Sequence, residues 1–82
     1  NPFNPSTTIR FDLPEDSFVT INVYDMVGRH VKTLLNNNMH AGRRSIIWDS
    51  TNNLDQPVSA GTYFYTIKTG EYSQTKKMVY LK

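Results

Sequence analysis

The feature that most constrains this chain is its alternation. Apolar and polar residues trade places with a period of two in one segment after another, and no stretch keeps a helical period for three turns. In TTIRFDL, Ile9, Phe11 and Leu13 share one face, and Thr8, Arg10 and Asp12 share the other. In FVTINVYD, Val19, Ile21 and Val23 face one way, with Thr20 and Asn22 opposite. RHVKTLL alternates through Val31, Thr33 and Leu35 with Leu34 out of step, so a bulge or a strand end is expected there. RRSIIWD aligns Ile46 with Trp48. GTYFYTIKTG sets Tyr63, Tyr65 and Ile67 against Phe64, Thr66 and Lys68, and YSQTKKMVYLK closes the series. Each segment has one face fit for a core. The expectation is an all-β chain of six short strands, joined mostly by hairpin-length turns and packed as a sandwich around Trp48 and Ile21.

The breaks between these segments carry turn chemistry. Pro14-Glu15-Asp16-Ser17 reads as a tight turn, with proline presetting φ. Met26-Val27-Gly28 is a short connection in which Gly28 is free to take φ > 0. Asn36-Asn37-Asn38 opens a loop that runs to Gly42, and STNNLDQPVSAG is the longest irregular piece. The chain begins NPFNPST. Pro2 and Pro5 offer no ladder donors, which suits an edge or a lead-in and excludes a central strand. Phe3, held between them, is placed to plug one open end of the sandwich.

With 82 residues the chain is one domain at most, and its stability margin is thin. It has no cysteine, so neither a disulfide nor a thiolate metal site can reinforce it. The net charge is +2, with basic residues scattered and not gathered into a stripe, which argues against a nucleic-acid partner. No run is long and apolar enough to span a membrane, and no signal peptide is visible; an export address would take some other form or lie elsewhere.

Catalytic signatures are missing. There is no cysteine nucleophile and no glycine-rich phosphate loop, and His30 and His40 lack helical metal spacing. The expectation is no enzyme and no cofactor. Asp49–Asp55 offers several oxygen ligands in seven residues, which echoes a calcium loop. It lacks the glycine and the downstream glutamate of an EF-hand, so a turn whose Asn and Asp side chains cap their own backbone is the preferred reading, with no metal. Tyr24, Tyr63, Phe64, Tyr65, Tyr72 and Tyr80 could build a sugar platform, but Tyr63 and Tyr65 fall on the core face and leave Phe64 outward. The last segment is an apolar strand between lysines: Lys76, Lys77, Met78, Val79, Tyr80, Leu81 and Lys82. It reads either as a strand with charged gatekeepers or as a recognition element that a partner meets by edge addition.

The order of these pieces resembles a known family. NPFNPSTTIRFDLP, VTINVYDMVGRHVKTL, WDSTN, PVSAGTYFYTIKTG and KKMVYLK follow one another as in the type A C-terminal sorting domain of proteins exported by the type IX secretion system of Bacteroidetes and neighbouring phyla. The Trp-Asp loop followed by Ser-x-Gly-x-Tyr is also similar to the Ig-like domain of the flagellar hook-capping protein, so fold alone does not settle function. The resemblance implies an Ig-like antiparallel β-sandwich of about seven strands spanning 1–82, with 1–6 as lead-in from a covalently linked N-terminal cargo. It implies an outer-membrane translocon and a sorting and attachment machinery as partners, and a secreted or cell-surface destination reached through the periplasm. Carried over by position, its structural motif falls on Pro2, Phe3, Pro5, Gly28, Trp48, Asp49, Gly61 and Tyr63, and its recognition strand on Lys76–Lys82. Family members often have glycine where this chain has Ser50 and Asp55. Two other functions stay open at this point: an accessory module of an extracellular enzyme, carbohydrate-binding or structural, and a hook-cap-like assembly domain. Edge pairing into a homodimer is a further expectation.

Overall fold

The computed structural model describes residues 2–3, 5–70 and 72–81, the side chains of residues 2 and 3 aside. Asn1, Asn4, Glu71 and Lys82 lie outside that set, so the recognition role expected of Lys82 and the plug expected of the Phe3 side chain fall outside the described residues. The described chain is all-β: β1 (Pro2–Phe3), β2 (Thr7–Leu13), β3 (Ser17–Asp25), β4 (His30–Met39), β5 (Gly42–Trp48), β6 (Gly61–Lys68) and β7 (Ser73–Tyr80). Six of these are full strands and β1 is a two-residue pairing, so the alternation counts the strands better than the resemblance does.

The strands form two sheets. One has the order β1-β7-β6-β3-β4; the other is the antiparallel pair β2-β5. All pairings are antiparallel except β1 with β7. As expected, four of the five connections between the full strands are of hairpin length; the topology they serve is mixed. Only β3–β4 and β6–β7 are hairpins within a sheet, while the turns after β2 and β4 and the long loop after β5 carry the chain between sheets.

Alternation places the core as anticipated. Ile9 and Leu13 from β2 and Trp48 from β5 face Val19, Ile21, Val23, Tyr63, Tyr65, Ile67, Met78 and Tyr80 from the larger sheet. Trp48, Ile21, Val19 and Val23 are fully buried. Phe11 and Ile46 pack against this cluster from the smaller sheet.

β4 departs from the sequence reading in one respect and bears it out in another. The loop expected from Asn36 to Gly42 is strand as far as Met39, because Asn36, Asn37, Asn38 and Met39 pair with Thr20, Val19, Phe18 and Ser17. Ladder hydrogen bonds to β3 override the low β-propensity of asparagine. The irregularity at Leu34 is real. Ile21 pairs with Leu35 and Asn22 with Thr33, so Leu34 is the extra residue of a bulge. A second register shift leaves Val31 between Lys32 and His30. The bulges let Leu34 and the adjacent Leu35, as well as Val31, lean on the core.

Candidate functional site

β7 is second from the end of its sheet, beside a strand of only two residues. β6 flanks it along its whole length, with Tyr63 opposite Met78, Tyr65 opposite Lys76 and Phe64 opposite Lys77. On its other side β1 pairs Pro2 with Val79 and Phe3 with Tyr80, and among the described residues Ser73–Met78 have no strand there. The terminal strand expected to be a plain sheet edge is therefore an edge for most of its length and an interior strand at its end. A proline at β1 fits this outermost place, where its missing N–H is not needed.

The residues expected to serve recognition divide by face. Met78 and Tyr80 are buried in the core, Val79 is half-buried on the opposite face, and Lys76, Lys77 and Leu81 are exposed. The outward features of β7 are thus two cations, an open stretch of backbone and an apolar residue at its exit. The aliphatic run between the lysines serves mainly to hold the strand in place.

The residues of the structural motif come together at the end of the sandwich where β7 finishes. Trp48 and Tyr63 meet edge-to-face across the two sheets, with ring centroids 5.1 Å apart. Trp48 Nε1 donates to the Thr51 carbonyl at 2.9 Å, and Tyr63 Oη donates to the Ser59 carbonyl at 2.6 Å, so each aromatic pins one arm of the loop between them. Burial raises the Tyr63 hydroxyl above its usual range. Asp49 accepts from the Thr51 hydroxyl, the first cause of its lowered carboxyl, with the Lys32 ammonium a further one. Gly28 and Gly61 hold φ of 88° and 149°, and neither has a neighbour that a Cβ would strike. Their requirement is for backbone freedom, not space.

Several side-chain oxygens of Asp49–Asp55 have partners within the protein. Asn52 Oδ1 accepts from Leu54 N and Gln56 N, which is the self-capping turn expected of such a loop. Lys32 Nζ stands among the rest, 2.7 Å from Thr51 Oγ1, 3.3 Å from Asp55 Oδ1 and 3.9 Å from Asp49 Oδ1. The lysine brings a positive charge to oxygens that a hard cation would otherwise use. Asn53 adds a second tie, its side-chain oxygen accepting from Thr33 N and its own N–H donating to the Val31 carbonyl. The loop thereby covers part of the β4 edge.

Sequence reasoning missed Lys32, the tie of Asn53 to β4 and the clamp at Asp25. Asp25 Oδ1 accepts from Val27 N and Arg29 N, and Oδ2 meets Arg29 Nε at 2.8 Å. The backbone donor of Arg29 is the main reason the Asp25 carboxyl is held below its usual range. This turn leaves Met26 and Val27 71% and 74% exposed. An Asp four residues before an Arg across a glycine was the available signal. For Lys32 there was none, since its partners are remote in sequence. The two histidines stay apart at opposite ends of β4: His30 contacts Asn22 and Thr33, while His40 faces Asp16. An open groove of about 650 Å³ between Pro14 and Tyr72, at the end away from Trp48, is lined by the carboxylates Asp12 and Glu15 and by Ser17, without a histidine.

The family described as secretion system C-terminal sorting domain matches residues 1–81. No curated protein matches the chain. Among solved structures, PorU from Porphyromonas gingivalis, crystallised as a latent dimer, aligns over 99% of this chain and 8% of its own, with 25% identity and a TM-score of 0.76. FlgD from P. aeruginosa aligns over 88% of this chain and 55% of its own, with 27% identity and a TM-score of 0.71. The chain thus spans about half of one relative and a small part of the other.

Proposed function

This chain belongs to the secretion system C-terminal sorting domain family, and from that premise we propose that it is a non-catalytic address that takes an attached cargo across the outer membrane through the type IX secretion system. Domains of this family direct secretion to the cell surface or the extracellular space. The observation that carries the reading is that the family match runs from residue 1 to residue 81 and so includes both β1 and β7. The address is then a folded surface and not a linear apolar peptide, because Met78 and Tyr80 are spent on the core. The cargo would join ahead of residue 1, with residues 1–6 as the lead-in, and the translocon would meet Lys76, Lys77 and Leu81.

The test is a fusion of residues 1–82 to a periplasmic reporter in a host that has the system. Export is expected. Deleting Met78–Lys82 takes away two core side chains and confounds recognition with folding, so Lys76→Gln/Lys77→Gln is the informative variant. It should keep its melting temperature and lose export. A folded fusion that stays in the periplasm overturns the reading. The likeness to FlgD favours one other function, hook-cap assembly. What precedes residue 1 in the full reading frame separates the two, since a catalytic or adhesive domain fits sorting and a short flagellar region fits assembly.

A further inference from the structure

The first and last strands of the chain are neighbours, and their pairing is slight. β1 contributes two residues, one of them Pro2, which has no N–H to give. Support comes from outside the ladder. Ser50, buried in the long loop, donates its hydroxyl to the Pro5 carbonyl, and Thr7 opens the β2 ladder opposite Trp48. β1 therefore covers the end of β7 at Val79 and Tyr80, and Ser73–Met78 remain open among the described residues.

An open strand edge is a template for a further strand, and the side chains along it decide which strand fits. Lys76 and Lys77 are both exposed and, as successive residues, point to opposite faces of the sheet. β7 carries no carboxylate, and neither lysine makes an ion pair among the described residues. An incoming strand with a carboxylate on each face would meet both cations, and one carrying lysines would be repelled.

We propose that the open edge of β7 receives an extended acidic segment of a partner protein, and that β1 is a clasp that sets where this edge ends. While the clasp is closed the edge offered is Ser73–Met78; once residues 1–6 let go, it continues through Leu81. The proposal rests on the sorting reading for why a partner meets this strand at all. It adds the partner's chemistry, and it makes the lead-in a control on the length of edge available.

Amide hydrogen exchange by NMR tests the clasp on the 82-residue chain, on a variant lacking residues 1–6, and on Ser50→Gly, which keeps the loop conformation and removes only the anchor on Pro5. Protection at Val79–Leu81 should fall roughly tenfold in both variants, about the worth of one net hydrogen bond, while β3 and β6 keep theirs. If the truncated chain unfolds, Ser50→Gly decides alone. Unchanged protection at Val79–Leu81 overturns the clasp. For the partner, a short synthetic peptide with two successive glutamates between valines, which puts one carboxylate on each face of the strand, should perturb the Ser73–Met78 amides and bind more tightly to the truncated chain. The same peptide with lysine in place of glutamate should not. An equal response to both peptides, or dimerisation of the truncated chain through β7 with no response to the acidic peptide, overturns the assignment of an acidic partner. None of these measurements depends on export, so the sorting reading can fail while the clasp stands, and the reverse.

Discussion

Lys32 Nζ lies 2.7 Å from Thr51 Oγ1, which ties an edge strand to the longest loop of the chain. The same ammonium reaches Asp55 and Asp49, and its side chain is only 18% exposed. A charged donor this far from solvent is worth more than an exposed one. Lys32→Ala should destabilise the domain by about 1–2 kcal/mol in denaturant titration. Added calcium should leave the melting temperature of the unaltered chain unchanged, because the Lys32 ammonium already supplies positive charge to the loop's oxygens. A calcium-dependent rise in melting temperature would contradict that assignment.

Ser50 and Asp55 sit at φ of 65° and 60°, the two positions where the family resemblance leads one to expect glycine. The left-handed region costs most side chains roughly 1–2 kcal/mol, less for aspartate. Asp55 is well exposed, so its contact with Lys32 returns little. The melting order should be Asp55→Gly at or above the unaltered chain, and Asp55→Val below both. A valine variant as stable as the glycine variant would show that the loop takes another backbone path.

Trp48 fills the centre of the core and also fastens the loop through Thr51. Trp48→Ala should cost about 3–5 kcal/mol. Set against a typical total of about 5–15 kcal/mol, that is enough to leave a chain this short largely unfolded at 25 °C. Trp48→Phe keeps most of the ring packing and loses the indole donor, so it should fall between. Circular dichroism melts of the three chains check the ranking.

The turn after β3 should be sensitive to acid. Asp25 is held below its ordinary 3.8, first by the backbone N–H of Arg29. A lowered folded pKa means that its stabilising contribution is complete above pH 3.8 and is lost as the pH falls from there through the folded value. Asp25→Ala should therefore flatten the acid limb of the stability profile. Some slope should remain, because Asp16 and Asp49 are also held low. A profile identical to that of the unaltered chain would remove Asp25 from the acid response.

Lys77 and Met78 are adjacent and should separate recognition from folding. Met78→Ala should cost about 2–5 kcal/mol by opening a cavity opposite Tyr63. Lys77→Gln, on the exposed face, should stay within about 0.5 kcal/mol of the unaltered chain. If export of a fused reporter tracks only Met78, the lysines have no part in the address.

Much of this architecture was legible because a period of two is a local property. The alternation in Ile9, Phe11 and Leu13, in Val19, Ile21 and Val23, and in Tyr63, Tyr65 and Ile67 names the inward face whichever strand lies beside it. The misfit at Leu34 marked a bulge for the same reason, since an extra residue breaks the period before any partner is known. Asn36–Met39 misled, because asparagine reads as loop until β3 supplies a ladder for it.

The sequence by itself determined the buried faces of the six full strands, the glycine at the β3–β4 turn and the inward place of Trp48 and Tyr63, all of which follow from side-chain period and backbone preference. Only the tertiary structure decided which strands are neighbours. It laid β1 along the end of β7, so that the terminal strand is an open edge only as far as Met78. It also set Lys32 among the oxygens of a loop 19 and 23 residues away. Both are contacts between distant parts of the chain, and alternation carries no information about which remote segment a strand edge or a lysine will meet.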